Sequence, residues 1–353
     1  MESINRNFII ESKYQKRIND KVSQCLTCEW KCKITKGKAG HCKTRMNHDG
    51  VIFSLVYGCI PSLFCHPIEI KPLYHFFPGS KALTAGTYGC NFDCFWCQNH
   101  HISHPSWPIL EIISKENAYL SPDKFIELAK ENNCQGISFS LNEPTLLFEY
   151  SLEVFKLANK NGLYNTYVTN GYMTEEVLRD LVKSGLNAMN IDIKGNFDMV
   201  KQNCGADVEK IWRNAKLAKE LGVHIEITTL LIDNLNSGEE VIKKIANRIL
   251  DELGELIPFH ISRFFPQYKS NDHNYFKPTS LKLLYKAYDI AQNSGLKYVY
   301  VGNITNKKYN KTICPNCSKT LILRNCIINF GITDFNIDDK GNCKFCGYNI
   351  CVY

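Results

Sequence analysis

The sequence predicts an α/β protein: a partial, TIM-like (β/α)6 barrel with a cysteine-rich segment before it and a zinc-ribbon-like module after it. Two observations lead there. Short apolar runs alternate with amphipathic stretches through the middle of the chain, the pattern of successive βα units and a parallel sheet. Most of the 17 cysteines also fall into three groups of different spacing, one ahead of that region, one inside it and one behind it. The expected boundaries are 1–80, 81–305 and 306–353.

The N-terminal group is Cys25, Cys28, Cys32 and Cys42, with two, three and nine residues between successive members. Spacing this irregular is compatible with a structural zinc or an auxiliary iron–sulfur cluster. His41, beside Cys42, could replace a ligand, but a lone histidine in a glycine-containing loop is expected to be solvated.

The barrel strands are expected at 82–88, 136–141, 164–169, 188–193, 224–232 and 258–262, with helices at 121–132, 175–184, 207–221, 238–253 and 280–294. Directly after the first strand comes the run Cys90-Asn-Phe-Asp-Cys94-Phe-Trp-Cys97. Composition alone would generate about 0.04 such triplets in a chain of this length. Three thiolates on an iron–sulfur cube leave one iron open for a substrate or cofactor. Barrel enzymes carry their chemistry on loops leaving the C-terminal strand ends. Those loops are polar here: Asn142-Glu143-Pro144-Thr145, Thr169-Asn170-Gly171, Asp192 and Lys194, and Arg263. Each alone could be a turn or cap, but their recurrence on one rim favours a site. Pro144 stiffens the loop presenting Glu143, and a guanidinium such as Arg263 suits an anionic or carbonyl-rich substrate group.

The C-terminal group consists of two knuckles, Cys314-Pro-Asn-Cys317 and Cys343-Lys-Phe-Cys346, separated by 25 residues. Each turns two thiolates toward a tetrahedral centre, which is a zinc-ribbon signature, with a rubredoxin-like iron as the alternative. Cys326 and Cys351 read as small buried residues.

Composition fits this reading. With 353 residues and 44% apolar content, the chain can build a sizeable core. The polar start lacks the apolar segment of a signal peptide and no apolar run approaches membrane-spanning length, so the cytoplasm is expected and a membrane partner is not. Cytosolic thiols stay reduced, which makes these cysteines metal ligands in preference to disulfides. A net charge of +7 spread among acidic residues gives no reason to expect nucleic acid.

The cysteine loop resembles that of the radical S-adenosylmethionine (SAM) enzymes. Over nearly its whole length the chain is similar to the AmmeMemoRadiSam-system radical SAM proteins, a branch related to the pyruvate formate-lyase activating enzyme. The resemblance rests on the Cys25 to Cys32 spacing, Pro67-Ile-Glu-Ile-Lys-Pro-Leu-Tyr-His-Phe-Phe-Pro-Gly79, and Gly89-Cys90 through Cys97-Gln-Asn99. It continues with Asn142 to Thr145, Asp192-Ile-Lys-Gly195, His260-Ile-Ser-Arg-Phe264 and Tyr300-Val-Gly-Asn303. It implies a radical SAM barrel in which Cys90, Cys94 and Cys97 bind a [4Fe–4S] cluster and Trp96 lies near the adenine. By the same resemblance Asn142, Glu143, Asn170, Asp192 and Lys194 belong to the SAM site, with Glu143 on the SAM ammonium and Asn170 and Asp192 at the ribose. Two positions depart from the pattern. The glycines that often precede the Glu-Pro pair are missing, and His66 stands where an aspartate is more usual. Lys71 and His75 could touch substrate or sit in a packed surface loop. A low-potential electron donor such as flavodoxin or ferredoxin and a macromolecular, protein substrate are the implied partners. The alternatives are an activase of a glycyl-radical enzyme and, in a different class, a non-catalytic zinc-ribbon adaptor, which would leave the central triplet and the polar rim unexplained.

Overall fold

The computed structural model describes residues 6–115, 118–325 and 331–350; Cys326 and Cys351 lie outside the described residues. Its centre is an eight-stranded sheet in sequential order: β1 (Ser62–Pro67), β2 (Lys81–Gly86), β3 (Gly136–Phe139), β4 (Tyr164–Thr169), β5 (Ala188–Asp192), β6 (His224–Leu231), β7 (Phe259–Arg263) and β8 (Val299–Gly302). β2 through β8 pair in parallel, and β1 closes one edge antiparallel to β2. The six expected strands are all present within about two residues of their expected ends; β1 and β8 add to them.

β4 shows why the strands form. Its sequence Tyr-Asn-Thr-Tyr-Val-Thr is rich in aromatic and β-branched residues and is buried on both faces, because crossover helices cover the outside. Those helices are α1 (Pro122–Glu131), α2 (Phe148–Lys160), α3 (Glu175–Ser184), α4 (Phe197–Cys204), α5 (Val208–Glu220), α6 (Glu239–Arg248) and α7 (Leu281–Asn293). Side-chain oxygens of Ser121, Asn196, Asp207 and Ser280 cap four of them. Among the described residues, no helix is long and apolar enough to cross a membrane.

The flanking regions dock through buried charges. Two three-stranded antiparallel sheets form the N-terminal region, and its Arg45, 2% exposed, forks onto Glu149 of α2 at 2.6 and 2.7 Å. The C-terminal strands Thr312–Ile313, Thr320–Asn325 and Gly331–Phe335 form a separate sheet. From it, buried Arg324 donates to Tyr74 O at 2.6 Å and lies 4.3 Å over the Tyr74 ring. Tyr74 and His75 in turn donate their backbone N–H groups to Glu226, which also holds His224 and His260 near the N-terminal ends of β6 and β7. His75 is therefore not in a surface loop: it is 1% exposed and packs at the barrel base, with Nε2 2.7 Å from the Tyr300 hydroxyl.

Candidate functional site

A cavity of about 780 Å³ opens among the C-terminal strand ends and runs inward along the sheet, a size suited to a nucleoside-bearing ligand. Cys90, Cys94, Cys97, Trp96, Asn142, Glu143, Asn170, Asp192, Lys194 and Arg263 all line it. The structure thus brings every rim residue expected from sequence to one space. It also adds Lys71, buried beneath the rim with Nζ 3.3 Å from His66 Nδ1, where burial brings its amine down to about 7.

The cysteine loop is held from below by two asparagines. Asn142 donates from Nδ2 to Gly89 O at 2.6 Å and accepts from Thr87 N. Asn170 donates to Asn91 Oδ1 at 2.7 Å and accepts from Tyr172 N. The amides of both are thereby engaged in aiming the thiols. Gly89 has to be glycine: it sits at φ +87°, and a Cβ there would lie 2.9 Å from Cys42 O.

Glu143 is buried and receives Thr145 N, Thr145 Oγ1 and Thr169 Oγ1 on Oε1, and Asn170 N on Oε2. Burial raises its carboxyl above the usual range, while these donors favour the charged form. Leu141, at φ +75°, makes the left-handed turn into this loop and so supplies the backbone path without the missing glycines. Asp192 and Lys194 pair at 3.3 Å. Arg263 donates from Nε to Thr279 O and lies 5.0 Å from the Phe265 ring, which fixes the direction of its fork.

The donor set suits a sulfur-ligated cluster together with a polar ligand. Ser140 Oγ, Asn190 Oδ1 and Thr228 Oγ1 are buried against the same cavity with no protein hydrogen-bond partner, and such groups need a partner. Burial pushes the Cys90 and Cys97 thiols up, so a metal binding there must displace protons. Sequence reading passed over these three residues because small polar side chains inside strands look like ordinary core. It also missed Cys204, whose sulfur stands 3.6 Å from that of Cys94 although 110 residues separate them in the chain.

The other two cysteine groups lie apart from this cavity. At the C-terminus Cys314 and Cys346 are 3.6 Å apart, Cys317 and Cys343 are 3.7 Å apart, and all four sulfurs lie within 4.8 Å of one another. A tetrahedral zinc with bonds of about 2.3 Å requires about 3.8 Å between thiolates. At the N-terminus, His41 is only partly solvated: it stacks on Trp30 with ring centroids 4.0 Å apart, and its Nε2 lies 3.1 Å from Asp93 Oδ2.

A sequence profile described as the radical SAM superfamily matches residues 85–245. An uncharacterised protein of Methanocaldococcus jannaschii is 39% identical over 340 residues, covering 96% of this chain and 98% of its own. A second protein of that organism, provisionally named a glycyl-radical enzyme activating enzyme, is 29% identical across 70% of this chain and 88% of its own. Among solved structures, a radical SAM methyltransferase from Sphaerobacter thermophilus shares the fold at a TM-score of 0.50, with 12% identity, 84% of this chain and 77% of that one covered.

Proposed function

The chain belongs to the radical SAM superfamily, and from that premise we propose that it uses SAM and a [4Fe–4S] cluster held by Cys90, Cys94 and Cys97 to abstract hydrogen from a macromolecular substrate. One observation carries the reading: three thiols, a buried carboxylate and three unpartnered polar groups meet in one cavity at the C-terminal strand ends. When bound, the cluster and SAM supply one-electron cleavage of the sulfonium, giving methionine and a 5′-deoxyadenosyl radical.

The protein's own residues bind, orient and exclude water. Glu143 is proposed to take the SAM ammonium, since its Oε2 carries a single protein donor. Asn142 and Asn170 keep the thiols aimed; Trp96, 4% exposed, supplies an apolar wall for the adenine. Asp192 is proposed to meet the ribose, with Lys194 fixing its carboxylate. Arg263 faces the substrate side.

We further assign the chain to the AmmeMemoRadiSam-system branch, with an N-terminal Cys-rich segment over 1–80, the barrel over 81–305 and a zinc-binding module over 306–353. The 3.6 and 3.7 Å sulfur separations support zinc in that module. A low-potential flavodoxin or ferredoxin is the proposed electron donor. The second reading, activation of a glycyl-radical protein, is favoured by the relative bearing that provisional name. The test is anaerobic reconstitution with iron, sulfide, SAM and reductant, followed by assay for 5′-deoxyadenosine. Product from the native chain and none from Cys90→Ser, Cys94→Ser or Cys97→Ser is expected; undiminished cleavage by all three refutes the assignment.

A further inference from the structure

We propose that Cys25, Cys28, Cys32 and Cys42 hold a second iron–sulfur cluster, with four thiolates and no open iron, against the back of the SAM-site cysteine loop. Geometry separates this set from the C-terminal one. Among the described residues, only Cys314, Cys317, Cys343 and Cys346 bring three or more ligand atoms within 4.8 Å of one another. The N-terminal thiols do not close to the distance one tetrahedral ion needs. They line a narrow space with Trp30, His41 and Arg45, a cavity of only about 10 Å³ before any group parts its walls. Thiolates on a cube stand farther apart than thiolates on one ion, because four irons separate them. Nor do the three sulfurs of the SAM-site triplet all lie within 4.8 Å of one another.

A second observation comes from a different residue. Arg45 lines this space, is 2% exposed, and its Nε has no hydrogen-bond acceptor, although its two terminal nitrogens are engaged by Glu149. A buried donor left over in this way calls for an acceptor in the space. The sulfide of a cluster is one, and the guanidinium charge offsets the net negative charge of an all-thiolate site. The Thr44 hydroxyl already donates to Cys42 Sγ at 3.2 Å, the kind of contact that tunes cluster potentials.

The two cysteine loops touch directly. Cys42 O packs against Gly89, the residue before Cys90. Trp30 donates from Nε1 to Asn91 O at 2.7 Å, and His41 meets Asp93. Thr145, a donor to Glu143, lines the N-terminal space as well. This adjacency bears on the proposed function only if the triplet carries the SAM cluster; the N-terminal assignment stands on its own geometry.

The test uses full-length chain with Cys90, Cys94 and Cys97 all changed to Ala, reconstituted anaerobically. It should keep about four irons and four sulfides per chain, beside about one zinc, and show a reduced-cluster paramagnetic signal that SAM leaves unchanged. A variant without iron, with or without a second zinc, overturns the proposal. The native chain guards against misfolding of the variant: it should hold about eight irons and give two paramagnetic signals, of which SAM shifts one. About four irons and a single SAM-sensitive signal in the native chain also overturn the proposal, while leaving the proposed function intact. Cys25→Ser with Cys42→Ser should remove the SAM-insensitive signal alone.

Discussion

The two four-cysteine regions at the ends of this chain share a ligand count and differ in nearly everything else. At the C-terminus two short knuckles collapse onto one point, with Cys346 exposed and sulfurs 3.6 to 3.7 Å apart. At the N-terminus the thiols come from the end of one strand and from loops between small sheets, and stand around an internal space walled by Trp30, His41 and Arg45. With ligand identity and count equal, the distance the scaffold sets between sulfurs is what separates a site for a single ion from the site proposed for a cluster.

The contrast can be broken by experiment, beginning with the largest effect. Stripping metal from the full chain should withdraw on the order of 10 kcal/mol from the C-terminal knuckles. Hydrogen exchange should then show lost protection over 312–325 and 331–350 while the strands around Cys25 keep theirs; equal loosening of both ends would erase the distinction. Glu149→Gln comes next. It leaves Arg45 buried beside four thiols without its charge partner, at a cost of roughly 3 to 5 kcal/mol in metal-free protein. Urea unfolding should show a smaller loss after iron reconstitution, because negative charge then returns beside Arg45.

Acid should act on the other end, by an amount on the order of a few kcal/mol. Burial brings the His75 imidazole down to about 3, and despite burial the hydrogen bonds from His224 and His260 hold Glu226 below the usual carboxylate range. Both groups bind protons more readily unfolded than folded. Stability is therefore present above the ordinary histidine value of 6.5 and falls as pH drops from there through 4.5 and below. Because Glu226 holds Tyr74, and Tyr74 holds Arg324, the C-terminal module should loosen first, as limited proteolysis across an acid series would register.

Glu143→Gln sharpens the comparison between closed and open sites. It removes a charge-assisted contact worth roughly 1.5 to 3 kcal/mol, or about ten- to a hundredfold in SAM affinity by calorimetry, and should leave N-terminal iron in place. Trp30→Phe is the mildest change. It deletes the bond to Asn91 O and should cost about 1 kcal/mol of stability, readable as a small shift in thermal midpoint.

Much of the barrel was legible because its strands are apolar runs between turn signals. Residues 164–169 were expected and are β4 without adjustment. What escaped depended on distant partners. β1 carries Pro67 and His66 and becomes a strand only by pairing with β2, while α2 was passed over although its buried Phe148, Ser151, Phe155 and Ala158 keep a helical spacing. The rim residues were identifiable one by one, but sequence could not tell that Asn142 and Asn170, while lining the cavity, also hydrogen-bond to the cysteine loop. Nor could spacing reveal that Arg45 and Glu149, 104 residues apart, would meet beneath the N-terminal thiols.

Thr145 has contacts in two directions: it walls the N-terminal space, and its backbone and hydroxyl both bond to Glu143. Were a group filling that space to shift Thr145, the hold on the carboxylate would shift with it, and so would the affinity of whatever Glu143 binds. Linkage would make such coupling reciprocal, so that a ligand on Glu143 would tighten or loosen retention of the N-terminal group by the same factor.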